Sequence, residues 1–348
     1  MKLLKNKQFW GIIVAIALLA FCVKDVRLSE LRQLSHRVDL IHLIPTVILA
    51  FIYIISRGMR WRLLVSQQKF LPFFRGVSLY SAGQVLNVVM PALTGQVGRL
   101  FLFARKEGMT KSFVFSTIVL EILFDAISLV VFLLFTSLAF AFPEEYRSVG
   151  IIIAVVTSII LILLYLMLTF QSRLESLGHR YCRNRWPGFY ISIKKFIRSF
   201  GKGIETLRSS QHFFVSLFYS LIGWTSHMFI IYFLLRSFGF NLPVAASAAV
   251  MIINTLALMV PITPGNAGTF EVAVAASLSA FNVGRSDAVL FAVALHLLDL
   301  FPVFILGLGF LRSEKLSLAE IKSQHEDKMI LDEIGEDGHL LEDKEEHP

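Results

Sequence analysis

Two stretches interrupt the hydrophobic pattern of this chain in the same way. The first is NVVMPALTGQVGR, residues 87–99, and the second is NTLALMVPITPGNAGTFE, residues 254–271. Each combines Asn, Pro and Gly with one ionisable residue, Arg99 or Glu271, inside apolar sequence. Lipid offers backbone groups no hydrogen-bond partner, so irregular backbone at membrane depth lies inside protein or beside a water-filled cavity. Two such interruptions at matching positions of two halves predict a ligand site of the kind found in membrane transporters.

The composition is that of a membrane protein with several spans. Of the 348 residues, 55% are hydrophobic and 17% are charged, and the mean hydropathy is +0.68. The formal charge of +8 is uneven, because residues 313–348 hold four Lys and twelve acidic residues and leave +16 on residues 1–312. In a membrane protein such an excess lies mainly in cytoplasmic loops beside anionic headgroups. The basic residues are scattered between apolar stretches, which argues against nucleic-acid binding.

The two Cys and nine His form neither a disulfide framework nor a metal-ligand spacing. We therefore expect no cofactor and no metal site. His227, in the middle of an apolar stretch, is interpreted as a satisfied buried histidine rather than as a proton relay.

Six stretches are long and apolar enough to be full spans, which need about 20 residues. They are 8–24, 40–56, 112–142, 149–170, 213–236 and 287–311. Two further apolar regions, 76–99 and 243–283, are broken near their middle by the motifs above, and we interpret them as re-entrant hairpins or paired half-helices. The sequence thus predicts an all-α integral membrane protein. It has one polytopic domain over 1–312 and an acidic tail, 313–348, that we expect to be disordered in the cytosol.

Loop charge predicts the orientation of the spans. The segments 57–75 and 171–212 are rich in Arg and Lys and should be cytoplasmic. The short turns 143–148 and 237–242 should face outward. The N- and C-termini are then both cytoplasmic, and the protein is expected in the cell membrane.

This orientation predicts an internal repeat. If each hairpin enters and leaves on one side, the order span, hairpin, span occurs twice, over about 40–142 and 213–311. The two units have opposite topology, which is an inverted-repeat plan. In such a plan the ligand site is expected near the midplane, between the repeats.

Each break is followed by a similar set of polar residues. Arg99 is followed by Glu121 and Asp125 on the next span, and Glu271 is followed by His296 and Asp299. Residues three or four positions apart share one helix face. A charge near the bilayer centre costs about 2.5–3.5 kcal/mol on insertion scales, so such residues pair with each other or line a pathway. Arg99 either pairs with a carboxylate of the next span to fix the packing, or handles substrate directly, and the two roles are compatible.

The glycines of the breaks permit positive φ angles and close backbone approach. A half-helix N-terminus also attracts anions, and an arginine is an apt counter-charge for a lipid phosphate. The alternative is that the glycines only form turns. We predict the following substrate-binding residues: Asn87, Gly95, Gly98, Arg99, Asn254, Gly265, Gly268 and Glu271. We predict a polar path or gate at Glu121, Asp125, His296 and Asp299. No catalytic residue is predicted.

At these motifs the chain resembles the lysylphosphatidylglycerol synthase transmembrane-region family, also called flippase-like domain proteins, over about residues 5–312. The resemblance rests on Asn87-x3-Pro91-x3-Gly95-x2-Gly98-Arg99, on Glu121-x3-Asp125, and on Pro261-x2-Pro264-Gly265-x2-Gly268-x2-Glu271. Two departures concern charged residues. Family members commonly have an Asp in the first motif, where this chain has Gln96 or Val97. They often have Glu-Arg before the span Asp, where this chain has Glu121-Ile122-Leu123.

The resemblance implies a membrane lipid translocase that binds an anionic phospholipid or a polyprenyl-phosphate-linked lipid. Relatives fuse such a domain to an aminoacyl transferase or to a glycosyltransferase, so a separate transferase is a candidate partner. The tail 313–348 is too short for an aminoacyl-transferase domain, and we expect lysyl transfer to be absent.

Two competing functions stay open. One is a membrane enzyme acting on a lipid-linked substrate, with Glu271 or Asp125 as general base. The other is an accessory subunit of a separate transferase. An enzymatic function is the less favoured interpretation, because the sequence has no nucleotide-binding loop, metal cluster or nucleophile–base signature.

Overall fold

The computed structural model describes residues 39–66, 68–90, 94–139, 210–258 and 263–313, together with a few single residues between 155 and 170. Eight α-helices and one short 3-10 helix, Pro264–Asn266, occupy these ranges, and no strand occurs in them. The helices are α1 (Leu40–Val65), α2 (Phe73–Val89), α3 (Thr94–Glu107), α4 (Lys111–Ala139), α5 (Ser210–Ser237), α6 (Val244–Ala257), α7 (Thr269–Ser279) and α8 (Arg285–Ser313). The predicted all-α class is confirmed for the described residues.

Four helices are long and apolar enough to cross a membrane. They are Leu40–Val65, Phe113–Phe135, Gln211–Ser237 and Arg285–Ser313. They correspond to four of the six predicted spans. The other two predicted spans, 8–24 and 149–170, lie outside the described residues apart from a few single positions, as does almost all of the tail 313–348.

The lipid-facing side of α1 follows from its sequence. Ile41, Ile44, Ile48 and Ile52 recur at helical spacing, and their exposed fractions are 75%, 62%, 54% and 38%. An exposed stripe of this kind suits a hydrocarbon environment and not water. Asp39 caps the helix by accepting the Ile41 N–H at 2.9 Å.

One predicted boundary was wrong. The span expected over 40–56 continues as helix to Val65, so Arg57 and Arg60 lie within a helix and not in a loop. The apolar pattern continues past these arginines, since Trp61 and Leu64 are fully buried. Asp125 accepts hydrogen bonds from both guanidinium groups and neutralises one of the two charges, as described below.

The two predicted breaks are present, and they lie against each other. α2 ends at Val89 and α3 begins at Thr94, whereas α6 ends at Ala257 and α7 begins only at Thr269. In the second break Gly265 and Gly268 have φ angles of 60° and 85°, in the left-handed region that favours glycine. A Cβ built on Gly265 would lie 3.3 Å from Cγ1 of Val88, so the second break packs directly on the first.

The helix pairs α2–α3 and α6–α7 start and return at opposite ends of the bundle. α2 follows the end of α1, whereas α6 follows the end of α5, where the Ser237 carbonyl accepts from the Asp39 N–H at the start of α1. Glu107, the last residue of α3, binds Lys69 at 3.0 Å and Arg75 at 2.7 Å, so α3 ends where α2 begins. The ring of Phe291, near the start of α8, lies 5.6 Å from that of Phe238, just beyond α5. α7 therefore leads back to the end of the bundle from which α6 starts. The helix order long, short, short, long occurs twice, and an inversion of the two units in the membrane stays a prediction.

Gly307 marks the closest crossing of α8 and α2. A Cβ at this position would lie 2.6 Å from Cγ2 of Val85 and 2.7 Å from the carbonyl oxygen of Ser81. Gly309, two residues later on the same helix, has nothing within 4 Å of its would-be Cβ. The two glycines are therefore a matched pair, one needed for packing and one not.

We expect Gly307→Ala to destabilise the protein, because overpacking of a tight crossing costs about 1–3 kcal/mol. Gly309→Ala should leave stability unchanged or raise it, since alanine favours helix over glycine by about 0.5–1 kcal/mol. Thermal unfolding of both variants in detergent measures the difference. Equal melting temperatures for the two variants would contradict the close approach of α8 and α2 at Gly307.

Candidate functional site

Arg99 forms a balanced ion pair with Glu121. Its guanidinium donates a hydrogen bond to Oε1 of Glu121, and the two residues are 2% and 3% exposed. The guanidinium carbon lies 4.8 Å from the ring centre of Tyr80 and 5.1 Å from that of Phe103. Of the two carboxylates that the sequence offered to Arg99, the structure selects Glu121. The pair is enclosed by protein and joins α3 to α4.

Asp125 binds two arginines at once. Its Oδ2 accepts from Arg57 at 2.5 Å and its Oδ1 accepts from Arg60 at 2.7 Å. The indole N–H of Trp224 donates to Oδ1 at 3.2 Å, and Arg60 also donates to the hydroxyl of Ser220. Two guanidinium groups therefore share one carboxylate, and the Asp125 cluster carries one net positive charge.

The Asp125 cluster has an accessible side and unused donors. The side chains of Arg57 and Asp125 are 24% and 21% exposed, whereas Arg60 is fully buried. Within the described structure, Nε of Arg57 and both Nε and one terminal nitrogen of Arg60 are buried without a hydrogen-bond partner. The hydroxyl of Tyr53 accepts from the other terminal nitrogen of Arg57 at 2.6 Å. Arg57 is thus the arginine of this cluster that a molecule from outside can reach, whereas Arg60 is enclosed.

The second half of the chain contributes histidine–carboxylate pairs. Nδ1 of His296 lies 2.7 Å from Oε1 of Glu271, and the Gly268 N–H donates to Oε2 of Glu271 at 2.7 Å. The His296 ring stacks on Phe270 with 4.3 Å between ring centres. The N-terminus of α7, which we predicted as an anion-binding end, is thus closed in part by its own Glu271 carboxylate.

His227 and Asp299 form the second pair, with 3.2 Å between Nε2 and Oδ2. His227 is 6% exposed, as expected of a buried histidine, but only one of its two ring nitrogens has a hydrogen-bond partner among the described residues. Its ring stacks on Tyr53 at 5.0 Å between centres. Because Tyr53 also contacts Arg57, this stack connects the second pair to the Asp125 cluster.

The glycines of the first break pack α2 against α3, whereas the asparagines of both breaks carry buried oxygens. A Cβ at Gly95 would lie 2.6 Å from Cα of Asn87, and one at Gly98 would lie 2.9 Å from Sδ of Met90. These glycines let α2 and α3 approach closely. Asn254 is 2% exposed, and its Oδ1, like that of Asn87, has no hydrogen-bond partner among the described residues.

Sequence reasoning missed Arg57, Arg60 and Tyr53. A signal existed, because these residues are spaced four and three apart and so share one face of a helix. This helical spacing was overlooked, because segments rich in Arg were assigned to cytoplasmic loops. Among the described residues, no group of three His, Cys, Asp or Glu side chains is arranged to hold a metal ion.

The fold and this buried network of ion pairs define a multi-span α-helical membrane protein with a charged interior. The family model for the lysylphosphatidylglycerol synthase TM region matches residues 8–307, so the chain belongs to that family, as the motifs predicted.

Its relatives include archaeal membrane proteins. The chain is 24% identical over 335 residues to UPF0104 membrane protein PH1989 of Pyrococcus horikoshii, which covers 89% of this chain and 98% of the relative. It is 26% identical over 277 residues to UPF0104 membrane protein MJ1595 of Methanocaldococcus jannaschii, and this alignment covers 75% of this chain and 81% of the relative. No solved structure matches the chain.

Proposed function

We propose that the protein is a lipid translocase that holds an anionic headgroup at the Asp125 cluster. One observation carries the proposal: Arg57 and Arg60 share a single carboxylate inside the helix bundle. A surplus charge in a membrane interior is costly, and residues that carry one usually serve a ligand or an ion pathway. A lipid phosphate would supply the missing negative charge.

The chemistry of the Asp125 cluster suits a phosphate. Guanidinium groups bind phosphate through pairs of charge-assisted hydrogen bonds, and they bind it more specifically than an ammonium group does. Arg57 and Arg60 retain unused N–H donors, which are buried, and the side chain of Arg57 is partly exposed. An anionic phospholipid and a polyprenyl-phosphate-linked lipid both offer this group.

The remaining predicted site residues take supporting roles in the proposal. Arg99 would reach a headgroup only when its pair with Glu121 opens, and that opening would also free α3 from α4. Asp299 and His296 extend the polar path from the Asp125 cluster towards Glu271 and the second break. The glycines of the two breaks let the helix pairs meet at this path.

We further propose that the two helix pairs open alternately towards opposite membrane faces, as in inverted repeats. The breaks touch at Val88 and Gly265, and the pairs return to opposite ends of the bundle. Both termini would be cytoplasmic, in the cell membrane. Cysteine labelling in intact cells tests this, with external reaction expected at Asn241 and protection expected at Gln68.

Translocation of fluorescent lipids by the purified protein in vesicles tests the function. Labelled phosphatidylglycerol should become accessible to an external quencher faster than in protein-free vesicles, and labelled phosphatidylcholine should not. The lipids are then recovered and analysed by mass spectrometry. Unchanged phosphatidylglycerol and a protein-dependent rate support a translocase. A chemically altered lipid would instead support the enzyme, and the absence of any protein-dependent rate would contradict the proposal.

A further inference from the structure

Two histidine–carboxylate pairs lie in the interior of the bundle and are not used by headgroup binding itself. They are His296 with Glu271 and His227 with Asp299. The side chains of His296 and Asp299 are 12% and 17% exposed, whereas Glu271 and His227 are nearly closed off at 5% and 8%. Each pair therefore has one nearly enclosed member and one that is partly exposed.

The hydrogen bonds fix where a proton can be added. An ionised carboxylate only accepts hydrogen bonds, so Nδ1 of His296 carries the hydrogen that faces Glu271. Nε2 of His296 is then the nitrogen that can take up a proton. By the same reasoning Nε2 of His227 donates to Asp299. Nδ1 of His227 has no hydrogen-bond partner among the described residues and is the nitrogen of this ring that can take up a proton.

Several charged and titratable groups face these pairs from the neighbouring helices. Tyr53 on α1 stacks on His227 and interacts electrostatically with Asp299. Tyr53 in turn interacts with Arg57, Asp125 and Tyr80, and these groups connect to Arg60, Arg99 and Glu121. α6 contributes no titratable residue and α7 contributes only Glu271. Within this described network, three guanidinium groups face four carboxylates.

The Asp125 cluster alone carries one positive charge, and each histidine–carboxylate pair carries one negative charge while its imidazole is neutral. The Arg99–Glu121 pair is balanced, so the whole network carries one net negative charge. One proton makes it neutral. A bound lipid phosphate adds a further negative charge, which the second imidazole can balance. Binding of the anion and binding of a proton then favour each other by the same factor, as linkage requires.

We propose that these two pairs form a proton-binding site coupled to lipid binding. The inference rests on the proposed function and adds the coupling ion to it. Lipid binding takes up a proton from water onto Nε2 of His296 or Nδ1 of His227, and lipid release returns it. A proton gradient across the membrane would thereby give the lipid movement a direction.

Calorimetry of short-chain phosphatidylglycerol binding to the full chain in detergent tests the coupling. Repeating the titration in two buffers of different ionisation enthalpy gives the protons taken up per lipid. We expect an uptake of about one proton per lipid over the pH range in which the lipid-bound protein holds the proton and the free protein does not. Over this range the lipid affinity should fall about tenfold per unit rise in pH. The variant with His227→Gln and His296→Gln should bind lipid without proton uptake and with no such pH dependence.

His42 provides a matched control. Its Nδ1 lies 2.7 Å from Oδ2 of Asp39, the same contact as in the His296 pair, but its side chain is 40% exposed and lies at the start of α1. His42→Gln should keep the wild-type proton uptake. If the double variant does not fold, Glu271→Gln removes the charge that holds the proton on His296 and should reduce the uptake.

The outcomes separate the two proposals. Lipid binding without proton uptake by the wild-type protein would overturn the coupling and leave the proposed function standing. Equal uptake by the wild-type protein and the double variant would also overturn it. Failure of the wild-type protein to bind phosphatidylglycerol at any pH would overturn the proposed function, and the coupling with it.

Discussion

Arg99→Ala should lower the free energy of unfolding by about 3–5 kcal/mol, because it leaves one partner of a buried ion pair uncompensated. Glu121, the residue left behind, is 3% exposed, and its Oε1 accepts from Arg99. The loss of the guanidinium also removes its contacts with the rings of Tyr80 and Phe103. Chemical or thermal unfolding in detergent measures the change.

The double variant Arg99→Ala with Glu121→Ala separates structure from function. Removing both charges leaves no unpaired group, so the double variant should recover the part of the stability that the unpaired Glu121 costs in the single variant. If Arg99 also contacts the headgroup after the pair opens, lipid translocation should stay low in the double variant. Full recovery of translocation would show that Arg99 only fixes the packing of α3 on α4.

Local patterns predicted most of the fold. Uninterrupted apolar stretches identified the four long helices, and the clusters of Asn, Pro and Gly identified both breaks. They succeeded because lipid leaves the backbone few choices: a span must be helical, and a break needs residues that tolerate one. The predicted end of the first span was wrong, because Arg57 and Arg60 were interpreted as part of a loop.

Pairings between helices were harder to predict. Arg99 and Glu121 come from neighbouring helices of one half, and their pairing was among the sequence alternatives. Asp125 takes its partners from α1, and His227 meets Asp299 across α5 and α8. Such pairings depend on which helices pack together, and periodicity within one helix does not encode that choice. The surplus positive charge therefore became visible only in three dimensions.

Arg57→Gln is the substitution with the largest expected effect on function. Glutamine keeps most of the side-chain length and a hydrogen-bond donor, but it removes the positive charge that Asp125 does not neutralise. Arg60 still neutralises Asp125, so the free energy of unfolding should change little. Charge-assisted hydrogen bonds contribute about 1.5–3 kcal/mol each, which corresponds to a loss of about tenfold or more in affinity for an anionic headgroup.

Arg312→Gln is the matched control for this change. Arg312 lies in the last turn of α8 and is exposed, so its replacement removes the same charge outside the Asp125 cluster. It should lower the affinity for anionic lipid only slightly. A similar loss in both variants would indicate general attraction to the protein's positive charge and not a site.

The affinity of the wild-type protein and of Arg57→Gln for short-chain phosphatidylglycerol and phosphatidylcholine tests the central claim most directly. We predict that the wild-type protein prefers phosphatidylglycerol, and that Arg57→Gln loses this preference while its melting temperature and its weak binding of phosphatidylcholine stay unchanged. An undiminished preference for phosphatidylglycerol in folded Arg57→Gln would contradict the assignment of the headgroup to the Asp125 cluster.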